Sequence, residues 1–340
     1  MFKPTGKTVL ALSLGLSFAL SATGASAGLK RVTIGTNPQG TLYYVVGGGF
    51  SKLLYDKLGI RATAQPYSGS SVYLPLIQSG EVTMGLSSSL DSGMAFSGKG
   101  PYSKTSALKG LRALAMVWPL PYAYFAKASS GMKTIADLKG KRVVVDFKAN
   151  ASLKAANIVM LKAGGINPEK DVHAVTVTGL PDGYRGVTEG TIDASATALA
   201  IPLARKAQAT IPGGLVMLNI TGPNATSEFT NRLLPGLYIT KSKPGKNNVG
   251  VNSEISVTGF DIFLLIGRDV SDQDAYAITK LLYQNWSDLK KKYKVLGRNT
   301  AKGLAKASNT VPYHPGAIKY FKEIGLWTNE NVRREKALME

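Results

Sequence analysis

Residues 32–58, VTIGTNPQGTLYYVVGGGFSKLLYDKL, constrain the chain more than any other stretch. A short apolar run over 32–35 leads into a polar Gly/Thr/Asn loop, and apolar residues at helical spacing follow. Val46, Phe50, Leu53, Leu54 and Lys57 fall near one face of that helix. The helix begins around Thr41, where unpaired backbone N–H groups and the helix dipole attract a negative group. Gly47, Gly48 and Gly49 are poor helix formers. Three together point to close backbone packing on a neighbouring element. On its own, a strand-loop-helix unit fits any α/β protein.

The same alternation continues along the chain. Strands are expected over 61–66, 82–86, 111–118, 122–127, 173–179, 192–196, 215–220 and 257–266. Helices are expected over 72–78, 152–162, 182–189 and 201–209. Pro119, Leu120 and Pro121 are read as a break between two strands and as the first crossing between lobes. The stretch 257–266 is the return crossing. Ser271 with Asp274 forms a capping box, opening a long helix with Ile278, Leu281, Leu282, Trp286, Leu289 and Tyr293 on one face. His314 is placed at a helix start beside Pro315. The last twelve residues, NENVRREKALME, are polar and expected to fray.

The first 27 residues carry the marks of an export leader. Lys3 and Lys7 precede an apolar run over 9–20, and Ala25-Ser26-Ala27 is a small-x-small cleavage site. The run is shorter than the roughly 20 residues a spanning helix needs. Cleavage before Gly28 and a periplasmic location are therefore expected. The chain has no cysteine, which excludes disulfides, thiolate metal sites and cysteine nucleophiles. Its formal charge of +20 would suit nucleic acid, an anionic membrane or an anionic solute. The export leader argues against nucleic acid. The dense patch at Lys290, Lys291, Lys292 and Lys294 is read as a solvated helix end.

Several spaced motifs resemble those of the TAXI family of TRAP-transporter solute receptors. Ile34, Gly35, Thr36, Gly40, Tyr43, Tyr44, Gly47 and Gly48 match its opening motif, with Asn37-Pro38 replacing a glycine. The segment QPYSGSSVYLPLIQSGEVTMGL, then Gly190 to Ala194, the Pro-x-Gly-x-Tyr at 235–238 and the ending VPYHPGAIKYFKEIGLW match further motifs. The loop 148–152, KANAS, departs from the family's Gly-Ser-rich pattern. The resemblance implies an α/β, two-lobed periplasmic-binding-protein fold of type II-like form, with a ligand cleft between the lobes. Lobe one would comprise 28–121 and 257–340, and lobe two 122–256. It also implies a receptor that captures a small carboxylate and delivers it to a TRAP membrane permease. The chain is expected to act as a monomer, with no cofactor, metal or catalytic residue. An enzyme on the same scaffold, or a receptor for a sensor kinase, an ABC-type or a tricarboxylate-type system, is the alternative.

Ligands of open α/β sheets sit beyond the carboxyl ends of strands. Those ends offer Gly35, Thr36, Thr41, Ser68, Ser70, Ser71, Ser87, Ser88 and Ser89 from lobe one. Lobe two offers Lys148, Asn150, Ser152 and Arg185. Tyr43, Tyr44 and Tyr238 are candidate cleft walls. Hydroxyls and amides with one or two cations suit a small polar anion, although Ser and Thr equally serve turns and caps. Enzyme motifs fail on inspection. Gly93 to Lys99 spells G-x-x-x-x-G-K, but Gly100 replaces the Ser or Thr of a P-loop, and the stretch is read as a surface loop. The two histidines, His173 and His314, lie too far apart for a metal cluster.

Overall fold

The computed structural model describes Met1 and residues 28–340 apart from 105 and 149. The expected leader and its cleavage site lie outside the described residues. The first unit forms as its sequence requires. Strand β1 (Arg31–Thr36) feeds helix α1 (Leu42–Leu58), whose cap Thr41 accepts a hydrogen bond from the Tyr44 amide. A Cβ on Gly47 would lie 2.5 Å from the Thr36 methyl, and one on Gly49 would lie 2.5 Å from the Tyr293 ring. Those two glycines let the sheet and a later helix approach. Gly48 instead faces open space.

The chain continues as β2 (Arg61–Pro66), α2 (Ser70–Ser79), β3 (Met84–Ser88), α3 (Ser89–Ser97) and β4 (Leu111–Lys127). Then come β5 (Arg142–Phe147), α4 (Ala151–Ala163), β6 (His173–Val177), α5 (Leu180–Glu189) and β7 (Ala194–Ala198). Helix α6 (Pro202–Thr210), β8 (Leu215–Met217), α7 (Ser227–Leu233), β9 (Tyr238–Ser242) and β10 (Ile255–Gly267) follow. Helices α8 (Asp272–Lys292), α9 (Pro315–Glu323) and α10 (Asn329–Met339) close the fold.

The sheet order is β2-β1-β3-β10-β4-β7-β5-β6, with β8 on β4 and β9 on β10. Two parallel blocks, β1–β3 and β5–β7, flank the long antiparallel pair β4/β10. Read outward from the centre, each block runs third strand, first strand, second strand. This is a two-lobed α/β fold in which β4 and β10 serve both halves. Strands β3 and β7 are buried throughout, as parallel strands covered on both faces must be.

Three expectations are corrected. Residues 119–121 do not break the strand. Pro119 pairs with Asp261, Leu120 with Phe260 and Pro121 with Gly259 inside one continuous β4. The carbonyl of Pro121 accepts from Leu199 on the β7 side, so its ring nitrogen also faces away from β10. The missing donors of both prolines thus fall on the edge that carries no ladder there. The near-P-loop is not a surface loop at its start, because α3 runs through Ser97 and is capped by Ser88. The last residues form α10, capped by Thr328 and held by side chains described below, instead of fraying.

His314 is fully buried at the start of α9. Its Nδ1 accepts from the Gly316 amide at 3.2 Å, so the proton sits on Nε2, which donates to the Val270 carbonyl at 3.0 Å. Burial lowers its pKa, a shift that Asp272 only partly opposes. A folded-state pKa below the unfolded value means that the unfolded chain binds the extra proton. Stability from this site is therefore complete above about pH 6.5 and falls as pH drops through that value. The other histidine, His173, is exposed. The urea midpoint should fall on going from pH 7.5 to 5.5, and His314→Asn, which retains a capping oxygen, should flatten that dependence. Equal pH dependence in both proteins would refute it.

Candidate functional site

The register of the central pair defines the candidate site. Ser88, at the carboxyl end of β3, pairs with Ile262, and Ile262 pairs with Trp118. Ala198, at the carboxyl end of β7, pairs with Tyr122. Because β3 and β7 both run antiparallel to their long neighbours, their carboxyl ends point at each other across 119–121. That stretch, with its partners Gly259, Phe260 and Asp261, forms the floor between the lobes.

On the first lobe the loops converge on Asp91, which is 4% exposed. The Ser70 hydroxyl donates to its carboxylate. Its amide donates to Ser88 Oγ at 3.1 Å. Burial raises the Asp91 pKa, while hydrogen bonds from Ser70 and Tyr102 pull it down. Tyr43 meets Trp118 edge-on at 5.6 Å and an interplanar angle of 86°. Burial, and then the Asp91 charge, push its hydroxyl pKa up. The Tyr73 hydroxyl donates to the Leu86 carbonyl, and its ring covers Gly35.

The candidate residues divide by what they touch. Tyr43, Ser70, Ser87 and Ser88 gather near Asp91 and the floor. Thr36 is buried and donates to the carbonyls of Asn37 and Gln65. Thr41 caps α1, and Tyr44 is half-buried in its first turn. Ser68 and Ser71 are exposed, and Ser87 donates to the Ser88 carbonyl. Ser89 and Tyr238 belong to a different cluster, around Asp261.

In the second lobe, Asn150 precedes α4 without a side-chain cap bond, and Ser152 is buried in its first turn. Helix α4 lies against α3 and the turn Gly100–Tyr102, so the two lobes meet there. Lys148 is exposed. Arg185 is exposed and paired with Asp182 at 2.5 Å. At the end of β7, Ala200 has φ 65°, the sole non-glycine positive φ among the described residues. A left-handed alanine costs on the order of 1–2 kcal/mol, and such strain clusters near functional loops.

Asp91, Trp118 and Arg298 did not emerge from the sequence. For Asp91 a signal existed, since Ser88 and Asp91 have capping-box spacing. Arg298 sits in the turn Lys294–Arg298, far along the chain, and no local pattern marks it. Two surface grooves lie elsewhere. One, of about 500 Å³, is at the amino ends of β1 and β2. The other, of about 480 Å³, runs past Tyr238, Ser308 and Arg334. Among the described residues, no group of three or more His, Cys, Asp or Glu side chains could hold a metal ion. No described helix is long and apolar enough to cross a membrane.

The fold is that of the two-lobed periplasmic solute-binding proteins. A solved structure described as a periplasmic transporter matches it with a TM-score of 0.51 and 12% identity, over 93% of this chain and 98% of that one. Residues 34–325 match the NMT1-like family, and the chain belongs to that family. Weaker likenesses include the alkanesulfonate-binding protein SsuA from Xanthomonas axonopodis pv. citri bound to MOPS, at 18% identity. That match covers 92% of this chain and 85% of the other, with a TM-score of 0.46. The periplasmic aliphatic sulphonate binding protein SsuA from Escherichia coli matches at 15% identity over 90% and 97%, with a TM-score of 0.46.

Proposed function

We propose that this chain is an extracytoplasmic solute-binding receptor, not an enzyme. It captures a small organic anion between its lobes and hands it to a membrane permease. The lobes would be 28–121 with 257–340, and 122–256. One observation carries the reading: the carboxyl ends of β3 and β7 point at each other across a floor shared by only two strands. Two strands at one place permit hinge motion. The polar ends of β3 and α4 would close on the solute.

The finer reading is a TRAP permease of the TAXI type with a carboxylate cargo, and it rests on the sequence motifs. An ABC-type partner with a sulfonate or amino-acid cargo is the alternative. Uptake driven by a sodium gradient favours the first, and uptake that requires ATP hydrolysis favours the second. The receptor reading itself is tested by thermal shift with L-glutamate, 2-oxoglutarate, ethanesulfonate, L-arginine and sucrose. A solute at a hundred times its Kd stabilises by about 2.7 kcal/mol, or roughly 5–10 °C for lobes of this size. The same solute should lower the radius of gyration in small-angle scattering. A solute that raises the melting temperature without compaction would count against hinge closure.

A further inference from the structure

Arg298 is a guanidinium with a missing partner. Its Nη1 is buried and meets no hydrogen-bond acceptor. No carboxylate offsets the burial that lowers its pKa. Arg298 as a whole is only partly buried, but a buried guanidinium nitrogen left without an acceptor is costly unless a ligand supplies one. Trp118 is fully buried, and its Nε1 also has no partner.

The segments that carry these two donors are neighbours. Asn299 Nδ2, on the residue after Arg298, donates to the Met116 carbonyl at 2.8 Å. The turn Lys294–Arg298 packs along β4. Arg298 therefore lies beside the stretch that carries Trp118. The Trp118 indole in turn meets Tyr43, in the first turn of α1, edge-on. The amides of Leu42 and Tyr43 are the first of that helix and have no intrahelical acceptor. A guanidinium, an indole N–H and a helix N-terminus are three donor types that favour anions.

We infer that Arg298, Trp118 Nε1 and the first turn of α1 form the subsite that holds the acidic group of the solute on the first lobe. This inference rests on the receptor reading and names the chemical class of its ligand: a carboxylate or sulfonate, bound on the lobe-one side of the floor. It moves the main cationic anchor from the loop 148–152 and Arg185 to a residue near the end of the chain.

The test is calorimetric titration of wild type, Arg298→Met, Arg298→Lys and Trp118→Phe with L-glutamate, 2-oxoglutarate, ethanesulfonate, L-arginine and sucrose. Arg298→Met removes the charge and keeps bulk, and Trp118→Phe removes only the indole donor. Loss of one charge-assisted hydrogen bond should weaken an anionic probe about ten- to a hundredfold. Trp118→Phe should weaken the same probe by a smaller factor, and Arg298→Lys should fall between wild type and Arg298→Met. Unchanged affinity in both Arg298→Met and Trp118→Phe overturns the subsite and leaves the receptor reading standing. Binding of L-arginine or sucrose alone overturns the anion class and again leaves the receptor reading standing. Binding of none of the five by wild type counts against both. Should Arg298→Met fail to fold, Arg298→Lys and Trp118→Phe decide.

Discussion

Replacing Asp261 by alanine is expected to destabilise the protein by about 3–5 kcal/mol, because the Tyr238 and Ser308 hydroxyls lose a shared buried acceptor at about 1–3 kcal/mol each. The carboxylate is 1% exposed and meets Lys306 Nζ at 2.7 Å. It also accepts from the Tyr238 hydroxyl at 2.8 Å and from Ser308. The Asp261 amide donates to Ser89 Oγ at 3.3 Å. The Lys306 ammonium lies 5.0 Å from the Tyr238 ring centroid. Removing the carboxylate strands the Tyr238 hydroxyl and Ser308. Lys306, whose side chain is 41% exposed, can turn to water. Lys306→Met instead leaves the 1%-exposed Asp261 carboxylate buried without its cation and should cost at least as much as Asp261→Ala, whereas Asp261→Asn, which keeps an acceptor for the two hydroxyls, should cost less than either. At roughly 2–4 °C per kcal/mol, Asp261→Ala should melt on the order of 10 °C lower. A fall of less than 2 °C would show that the network is dispensable.

The position of this network gives it a second consequence. Asp261 pairs with Pro119 on the floor between the lobes. Tyr238 comes from β9, on the proposed second lobe, and Lys306 and Ser308 come from the proposed first. Ser89 adds a tie to the Gly236 carbonyl at 3.2 Å. The hinge strands thus carry a polar knot that both lobes share, and Asp261→Ala should also widen the distribution of lobe angles seen by scattering.

The sequence made the alternating strands and helices legible because each is short, apolar and bounded by Gly, Pro or a cap. Thr41, Ser271 and His314 were legible as helix starts, since each side chain can accept from a backbone amide two or three residues ahead. The continuity of β4 through Pro119 and Pro121 was not. It depends on which edge each proline nitrogen faces, and only the neighbouring strands fix that. The subsite donors were hidden for a related reason. Trp118 looks like any core aromatic, and Arg298 like any of the chain's many cations. What distinguishes them is the partner each lacks, and that is a tertiary fact. Ser70, Ser88 and Ser89 were picked for their type, and each also has a fixed backbone or Asp91/Asp261 bond, as polar residues in tight loops do.

The clearest misreading, the C-terminal tail, leads to the last expected result. Removing residues 329–340 should destabilise the protein by roughly 3–5 kcal/mol. By composition the segment is polar and looks dispensable, but Asn331, Arg334 and Glu335 face inward. Asn331 Nδ2 donates to the Ala305 carbonyl at 2.7 Å, and Arg334 Nε donates to the Asn309 carbonyl at 2.6 Å. Glu335 accepts from Asn309 Nδ2 at 2.8 Å and from the Tyr313 amide at 3.0 Å. Asn309 and Tyr313 are both 1% exposed. The Tyr313 ring in turn packs edge-on against Phe263 of β10 and Trp327. Each buried group left without its partner costs about 1–3 kcal/mol, and water admitted by the deletion recovers part of that. Glu335→Ala should reproduce about half of the loss, because it frees both Asn309 and the Tyr313 amide while leaving Asn331 and Arg334 in place. Thermal melts of the full chain, the truncated chain and Glu335→Ala measure all three. A truncated chain that melts within 2 °C of the full one would make α10 an appendage and return the tail to the role its composition suggests.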